Sequence, residues 1–189
     1  MTTTTPAALT GTYRLDPHRT RLGFVARQAM VAKVRGTFDT FTGLAHLDFA
    51  DPARSRVEVT VEVTSLTTGS ARRDAHLRRS FFDATEHPRI TFRSTSVDVL
   101  TDDRYLLTGE LTIKDRARPI SIEVVRTGTT IDQDGTSRVE LCGRGSLDRR
   151  DWGVAWNAAA EGGGAFVANT IVIELDVDAV RAPVAGSPA

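Results

Sequence analysis

The sequence predicts an all-β protein, an antiparallel up-and-down barrel of about eight strands with one short helical insertion near residues 70–85. Three observations point there. From Gly11 to Val180 apolar and polar residues alternate with the period of two that a half-buried antiparallel strand requires. Turn signals such as Asp51-Pro52, Asp102-Asp103 and Asp134-Gly135 separate the runs. Some runs are long: Arg56 to Leu66 as one strand would span about 35 Å at roughly 3.3 Å per residue. A sheet of long antiparallel strands tends to curl, and closing it removes the unpaired edges that make open sheets aggregate. A barrel is therefore favoured over a two-sheet sandwich.

The elements follow in order. Residues 1–10 are polar, with neither a basic stretch nor an apolar run of the signal-peptide kind, and read as a disordered tail ahead of one domain spanning 11–180. Leu22, Phe24 and Ala26, then Val34, Gly36 and Phe38, then Ala45 and Leu47 keep one apolar phase and form the expected inner wall. Val57, Val59, Val61 and Val63 alternate with Glu58, Thr60, Glu62 and Thr64 in the clearest strand. The segment Ser70 to Pro88 breaks the pattern. Within it Leu77, Phe81 and Phe82 lie near helical spacing, with Arg72, Arg73, Arg78 and Arg79 on a polar side. One or two amphipathic turns covering one end of the barrel are expected there.

Strands resume with Ile90 to Val99, carrying Phe92, then Tyr105, Leu107, Gly109, Leu111 and Ile113, then Ile120, Ile122 and Val124. In the next strand Gly143 and Gly145 join the inner wall, while Arg138, Glu140, Cys142 and Arg144 take the outer phase. Trp152 and Trp156 sit in LDRRDWGVAWN near the expected barrel mouth, either closing over a ligand or plugging the core. Gly162-Gly163-Gly164 reads as a flexible connection before Ile171, Ile173, Leu175 and Val177, and 181–189 reads as a second disordered tail. Glycine and alanine on the inner wall are consistent with a lumen open to a small ligand, since a barrel of about eight strands is just wide enough for one. They are equally consistent with bulges and bends.

Composition excludes several classes. A chain of 189 residues fits one domain with a sizeable core. Lys plus Arg and Asp plus Glu balance at 24 each, and no basic aromatic stripe is present, so nucleic acid is not an expected partner. No apolar run approaches the roughly 18 residues of a spanning helix, which argues against stable membrane insertion. The lone Cys142 excludes an intramolecular disulfide and fits a cytoplasmic location. Val25, Val125 and Val172 on the outer wall leave room for a homodimer.

Candidate chemistry is sparse. His18, His46, His76 and His87 lack metal-ligand spacings, so no metal is expected. No GxSxG elbow occurs, Cys142 points outward, and the glycine run lacks the Lys-Ser/Thr of a phosphate loop, so no catalytic residue is assigned. Asp74 and His76 are two apart at the start of the insertion. The plainer reading is that Asp74 caps a turn and His76 packs locally. An apolar barrel without a reactive constellation is better suited to holding a hydrophobic molecule than to transforming one.

Ordered along the chain stand Tyr13-Arg14-Leu15-Asp16-Pro17-His18, Gly36-Thr37-Phe38 with Phe41-Thr42-Gly43, and Ser65-Leu66-Thr67-Thr68-Gly69. Arg73-Asp74-Ala75-His76-Leu77 follows, then Phe81-Phe82-Asp83, His87-Pro88, Thr108-Gly109-Glu110-Leu111-Thr112-Ile113, Arg118-Pro119 and Arg149-Arg150-Asp151-Trp152-Gly153. In this order and spacing the chain resembles the YceI-like proteins, a lipocalin-like group that binds polyisoprenoid lipids. The resemblance covers Gly11 to about Val180. It implies a barrel of about eight strands with a helical insertion, holding a long isoprenoid such as a quinone tail or polyprenyl phosphate, with no cofactor. The chain departs from the family at Gln28, where a His is usual, at Trp152 and at His18-Arg19-Thr20. Many relatives carry a secretion signal, and none is read here.

The expected ligand contacts are Leu22, Phe24, Gln28, Phe38, Val61, Leu77, Phe81, Phe82, Phe92, Leu111, Ile113, Ile122 and Trp152. Two other readings stand beside lipid carriage. One is an enzyme on a small apolar or isoprenoid substrate using Asp74, His76 or Gln28 at a cavity mouth, which needs contact distance. The other is a filled barrel acting as a stress or interaction protein, with no lumen.

Overall fold

The structure, a computed structural model, describes residues 9–28, 32–133, 135–154 and 167–183. Trp156 and Gly162-Gly163-Gly164 lie outside the described residues, as does the side chain of Gln28. Eleven strands form a single antiparallel sheet: β1 (Gly11–Leu15), β2 (Arg21–Gln28), β3 (Ala32–Phe38), β4 (Phe41–Leu47), β5 (Arg56–Glu62), β6 (Leu66–Thr67), β7 (Arg89–Val99), β8 (Arg104–Ile113), β9 (Arg116–Ile131), β10 (Ser137–Asp148) and β11 (Val167–Arg181).

Six of the eleven are halves of three kinked staves. β1 and β2 both pair with β11, through Tyr13↔Arg181 and Phe24↔Ile173. Their partners β4 and β3 follow each other, through Tyr13↔Ala45 and Phe24↔Gly36. β5 and β6 repeat the arrangement through Val59↔Gly43 and Leu66↔Phe38. With β7 to β11 these make eight staves in chain order, and the β1–β11 ladder closes the ring. The protein is an up-and-down antiparallel barrel, as the alternating pattern predicts.

The kinks correct the expectation of one uninterrupted strand from Arg56 to Leu66. The strand ends at Glu62 and a 3-10 turn spans Val63–Ser65. Here the Val63 amide donates to the Pro88 carbonyl at 2.8 Å and the Ser65 hydroxyl donates to the Glu62 carbonyl at 2.7 Å, so the ladder is left for other acceptors. The neighbouring staves break beside it at Asp39-Thr40 and Asp16–Thr20. In the latter Thr20 Oγ1 donates to the Asp178 carbonyl and accepts from the Asp178 amide, both at 3.0 Å.

Leu9, Thr10 and Arg181, which the sequence placed in the terminal tails, are held by the barrel. Leu9 is buried and its carbonyl accepts the Tyr13 hydroxyl at 2.6 Å, while Thr10 Oγ1 accepts from the Phe49 amide. Arg181 is the last residue of β11 and its guanidinium donates to the Thr10 carbonyl. These contacts bind both ends of the domain to the barrel floor, where Tyr13, Val139 and Ala179 form a small cluster with Leu47, Phe49, Leu141 and Val177. Val25 alternates outward between Phe24 and Ala26 yet is only 8% exposed, so it offers no docking face.

The insertion between β6 and β7 lies at the opposite end, beside the β8–β9 turn. It comprises α1 (Ala71–His76) running into a π-helical turn over Leu77–Phe81. Among the described residues no helix is long and apolar enough to cross a membrane.

Candidate functional site

Alternation decides what the lumen sees. On β11 the side chains of Ile171, Ile173, Leu175 and Val177 point inward, and on β9 those of Ile120, Ile122 and Val124. They enclose a cavity of about 1210 Å³, with apolar walls along most of its length. Leu22, Phe24, Phe38, Val61, Leu77, Phe81, Phe82, Phe92, Leu111, Ile113, Ile122 and Trp152 all border it. So do Ala26, Val34, Ala45, Leu47 and Gly143 of the expected inner wall.

Gly36, Gly109 and Gly145 do not border the cavity, and the first two show why small residues there do not simply mean empty space. A Cβ on Gly36 would come within 2.4 Å of Phe24 Cζ, and one on Gly109 within 2.4 Å of Phe92 Cζ. In each case an aromatic ring from the neighbouring stave lies across the glycine backbone. The missing side chain lets the ring lie back against the wall, so the lumen keeps its width. One ladder irregularity falls beside Gly109, where Ser94 pairs with Gly109 and Ser96 with Thr108; the others lie between β9 and β10 at Glu140/Leu141 and between Val167 and Ile171 of β11.

The helical end is lined by aromatics. Phe82 meets Phe38 edge-on at 6.2 Å, and Phe38 tilts against Phe24 at 5.9 Å. Phe81 is buried and stands edge-on to His76 at 5.8 Å. Trp152 is 2% exposed and its indole N–H donates to the Leu111 carbonyl at 2.9 Å, which makes it a core plug with one face on the cavity.

The arginines of the insertion divide into two pairs. Arg73 donates to Thr68 Oγ1 at 2.7 Å and to the Thr68 carbonyl at 2.8 Å, and Arg78 donates to the Leu66 carbonyl. Arg72 and Arg79 are exposed and border the cavity. Asp74 is buried and accepts from the Thr68 amide at 2.9 Å and from the Thr68 hydroxyl. It therefore anchors the loop before the helix, where the sequence suggested a helix cap. The helix N-cap is Ser70, which makes no side-chain capping bond. Asp74 and His76 do not form an acid–base pair: His76 borders the cavity and Asp74 does not.

Sequence reasoning missed two contributors to the wall. Arg149 is buried, donating to the Val154 carbonyl at 2.7 Å and to Asn169 Oδ1 at 3.2 Å, and burial pulls its pKa below the usual arginine value. Nothing in the Arg149-Arg150 doublet says which arginine turns inward. Arg150 turns out toward Asp148, whose carboxyl it holds down at about 2. At the floor, the Arg126 guanidinium stacks 5.6 Å above the Phe49 ring, and both border the cavity with Tyr105. Among the described residues no group of three or more His, Cys, Asp or Glu could hold a metal ion. Cys142 is exposed on the outer wall; burial of its sulfur and then the Asp176 carboxylate raise its pKa, which makes it a poor nucleophile at neutral pH.

A closed antiparallel barrel with an apolar lumen and a helical cover defines a lipocalin-like container. The YceI-like domain profile matches residues 13–179, and the chain belongs to that family. Protein YceI of Shigella flexneri is 35% identical over 120 residues, 63% of this chain and 62% of that protein. The chain thus aligns with a little under two thirds of that relative's length. The UPF0312 protein plu2095 of Photorhabdus laumondii is 30% identical over 149 residues, 77% of each chain. Among solved structures, Burkholderia cenocepacia BcnA superposes with a TM-score of 0.75 at 22% identity, covering 87% of this chain and 98% of its own. A polyisoprenoid binding domain from Saccharophagus degradans gives 0.66 at 16% identity, covering 90% and 98%.

Proposed function

We propose that the protein holds a long-chain isoprenoid, of the quinone or polyprenyl phosphate kind, in the barrel lumen and sequesters or transports it without transforming it. The observation that carries this reading is the apolar cavity of about 1210 Å³, larger than the 300–1,000 Å³ usual for small-molecule sites. It is supported by family membership and by the fold shared with a domain described as polyisoprenoid-binding. Each buried CH₂ contributes about 0.8 kcal/mol, so a lipid of tens of carbons binds tightly even after its ordering cost. Apolar walls read length and shape, which suits a carrier.

The cavity counts against the filled-barrel reading. The catalytic reading loses its acid–base pair, because Asp74 is committed to Thr68. A cytoplasmic location belongs to the same proposal, supported by an exposed cysteine with no disulfide, and cell fractionation tests it. Native mass spectrometry and organic extraction of the freshly purified protein test the lipid itself. The expected result is a prenyl lipid released on denaturation. Empty protein that also takes up no added polyprenyl phosphate or quinone overturns the proposal.

A further inference from the structure

The chain's charges balance in number and separate in space. Lys plus Arg equal Asp plus Glu at 24 each, yet the two ends of the barrel differ. At the helical end stand Arg72 and Arg79 of the insertion, Arg116 and Arg118 at the start of β9, and Arg27 and Lys33 of β2 and β3, which reach this end because Gln28 pairs with Val167 at the start of β11. All six are exposed, and none makes an ion pair among the described residues. Of the carboxylates at this end, Asp74 accepts from Thr68, Asp115 pairs with His87 at 3.0 Å and Asp148 is held by Arg150, which leaves Asp83, Glu86 and Asp151. The floor exposes carboxylates instead: Asp51, Asp98, Asp102 and Asp103 make no ion pair among the described residues.

One contact shows that the barrel alone does not favour this arrangement. Arg27 and Lys33 stand directly opposite each other in the β2–β3 ladder, on the outer phase beside inward Ala26 and Val34. Like charges directly opposite are destabilising in a sheet, and an external anion relieves them. Arg72 and Arg79 meanwhile border the cavity, so the cations stand around the opening of an apolar lumen. A flat anionic surface reaches many of them at once, and each Lys or Arg brought near it adds to the attraction. Among the described residues no aromatic ring is exposed for stacking on bases, which disfavours single-stranded nucleic acid as the partner.

We infer that the helical end is a docking surface for an anionic membrane, on which Arg27, Lys33, Arg72, Arg79, Arg116 and Arg118 set the barrel upright with its lumen facing the bilayer. The attraction is electrostatic and needs no inserted segment. The charges act in this way whatever the lumen carries; that docking lets cargo pass between bilayer and lumen without crossing water rests on the lipid-carrier reading above.

Cosedimentation of the full chain with phosphatidylcholine vesicles, with or without about one third phosphatidylglycerol, tests the surface. Binding is expected to the anionic vesicles alone, and to weaken several-fold when salt rises from about 0.05 M to about 0.5 M. Arg27→Gln/Lys33→Gln, at two positions that do not border the cavity, is expected to bind anionic vesicles about tenfold more weakly. Freed of a like-charge pair, it is expected to melt no lower than wild type. The control Arg14→Gln/Arg144→Gln removes two exposed cations away from the helical end, also outside any ion pair among the described residues, and stays within about twofold of wild type. Equal binding to neutral vesicles, indifference to salt, a control that loses as much as the rim variant, or a rim variant that melts below wild type overturns the inference. Tighter binding of double-stranded DNA than of anionic vesicles at the same salt overturns the choice of a membrane. Prenyl lipid recovered from protein that ignores vesicles sinks the docking alone; docking by protein that neither releases nor takes up prenyl lipid sinks the carrier reading alone.

Discussion

Phe24 lies across Gly36 because the site has no Cβ, and this single contact shows how the lumen is kept open. Gly36→Ala forces the ring inward or the staves apart, at a cost of about 1–3 kcal/mol. Denaturant unfolding and lipid retention are both expected to fall; unchanged values in both would show that the ring has another resting place. Phe81 and Phe82 are next. Phe81→Ala is expected to cost about 3 kcal/mol, and Phe81→Ala and Phe82→Ala to weaken lipid retention more than His76→Ala does. The reverse order would revive a catalytic role for His76. The phase of each of these residues is legible in the sequence, because alternation and helical spacing fix which way a side chain points. What the ring rests on is not, since Gly36 meets Phe24 only across a strand pair.

At the scale of elements, the cap and the seam depend on polar anchors. Asp74 accepts two donors from Thr68, whose hydroxyl also receives Arg73, so Asp74→Ala leaves an amide and a hydroxyl without their acceptor. The expected loss is about 1–3 kcal/mol. Hydrogen exchange should rise first over residues 68–81; uniform destabilisation would mean that the cap and barrel unfold as one unit. At the β1–β11 seam, the His18 amide and then the Arg138 guanidinium hold the Asp16 carboxyl below its ordinary value of 3.8. A depressed folded pKa stabilises the protein above the unfolded value and loses that contribution as pH falls through the lower, folded one. Asp16→Asn is thus expected to be less stable than wild type at neutral pH, with the gap closing below about pH 4. A gap independent of pH would show that charge at Asp16 plays no part.

For the whole molecule, the proposed function predicts that the lumen couples stability to cargo. A ligand that binds only the folded barrel raises its stability by about 2.7 kcal/mol at a hundredfold excess over Kd. Delipidated protein should therefore melt lower than protein as purified, and added polyprenyl lipid should restore the difference in a concentration-dependent way. A melting temperature indifferent to delipidation and to added lipid would argue for a barrel that carries nothing.

The sequence by itself determined the antiparallel strands, the place of the helical insertion and the inward phase of residues such as Leu22, Phe92, Leu111 and Ile122, because these follow from periodicities of two and 3.6 along one strand or helix, and it favoured a barrel that the β1–β11 ladder closes. Tertiary structure alone decided the three kinks, where Val63 finds Pro88, and the division of four similar arginines into two tied to backbone and two left at the mouth. It also decided that the lumen is open. The physical reason is the same in each case: the deciding partner lies on another stave or loop, and the spacing of residues along the chain does not record who meets whom across the barrel.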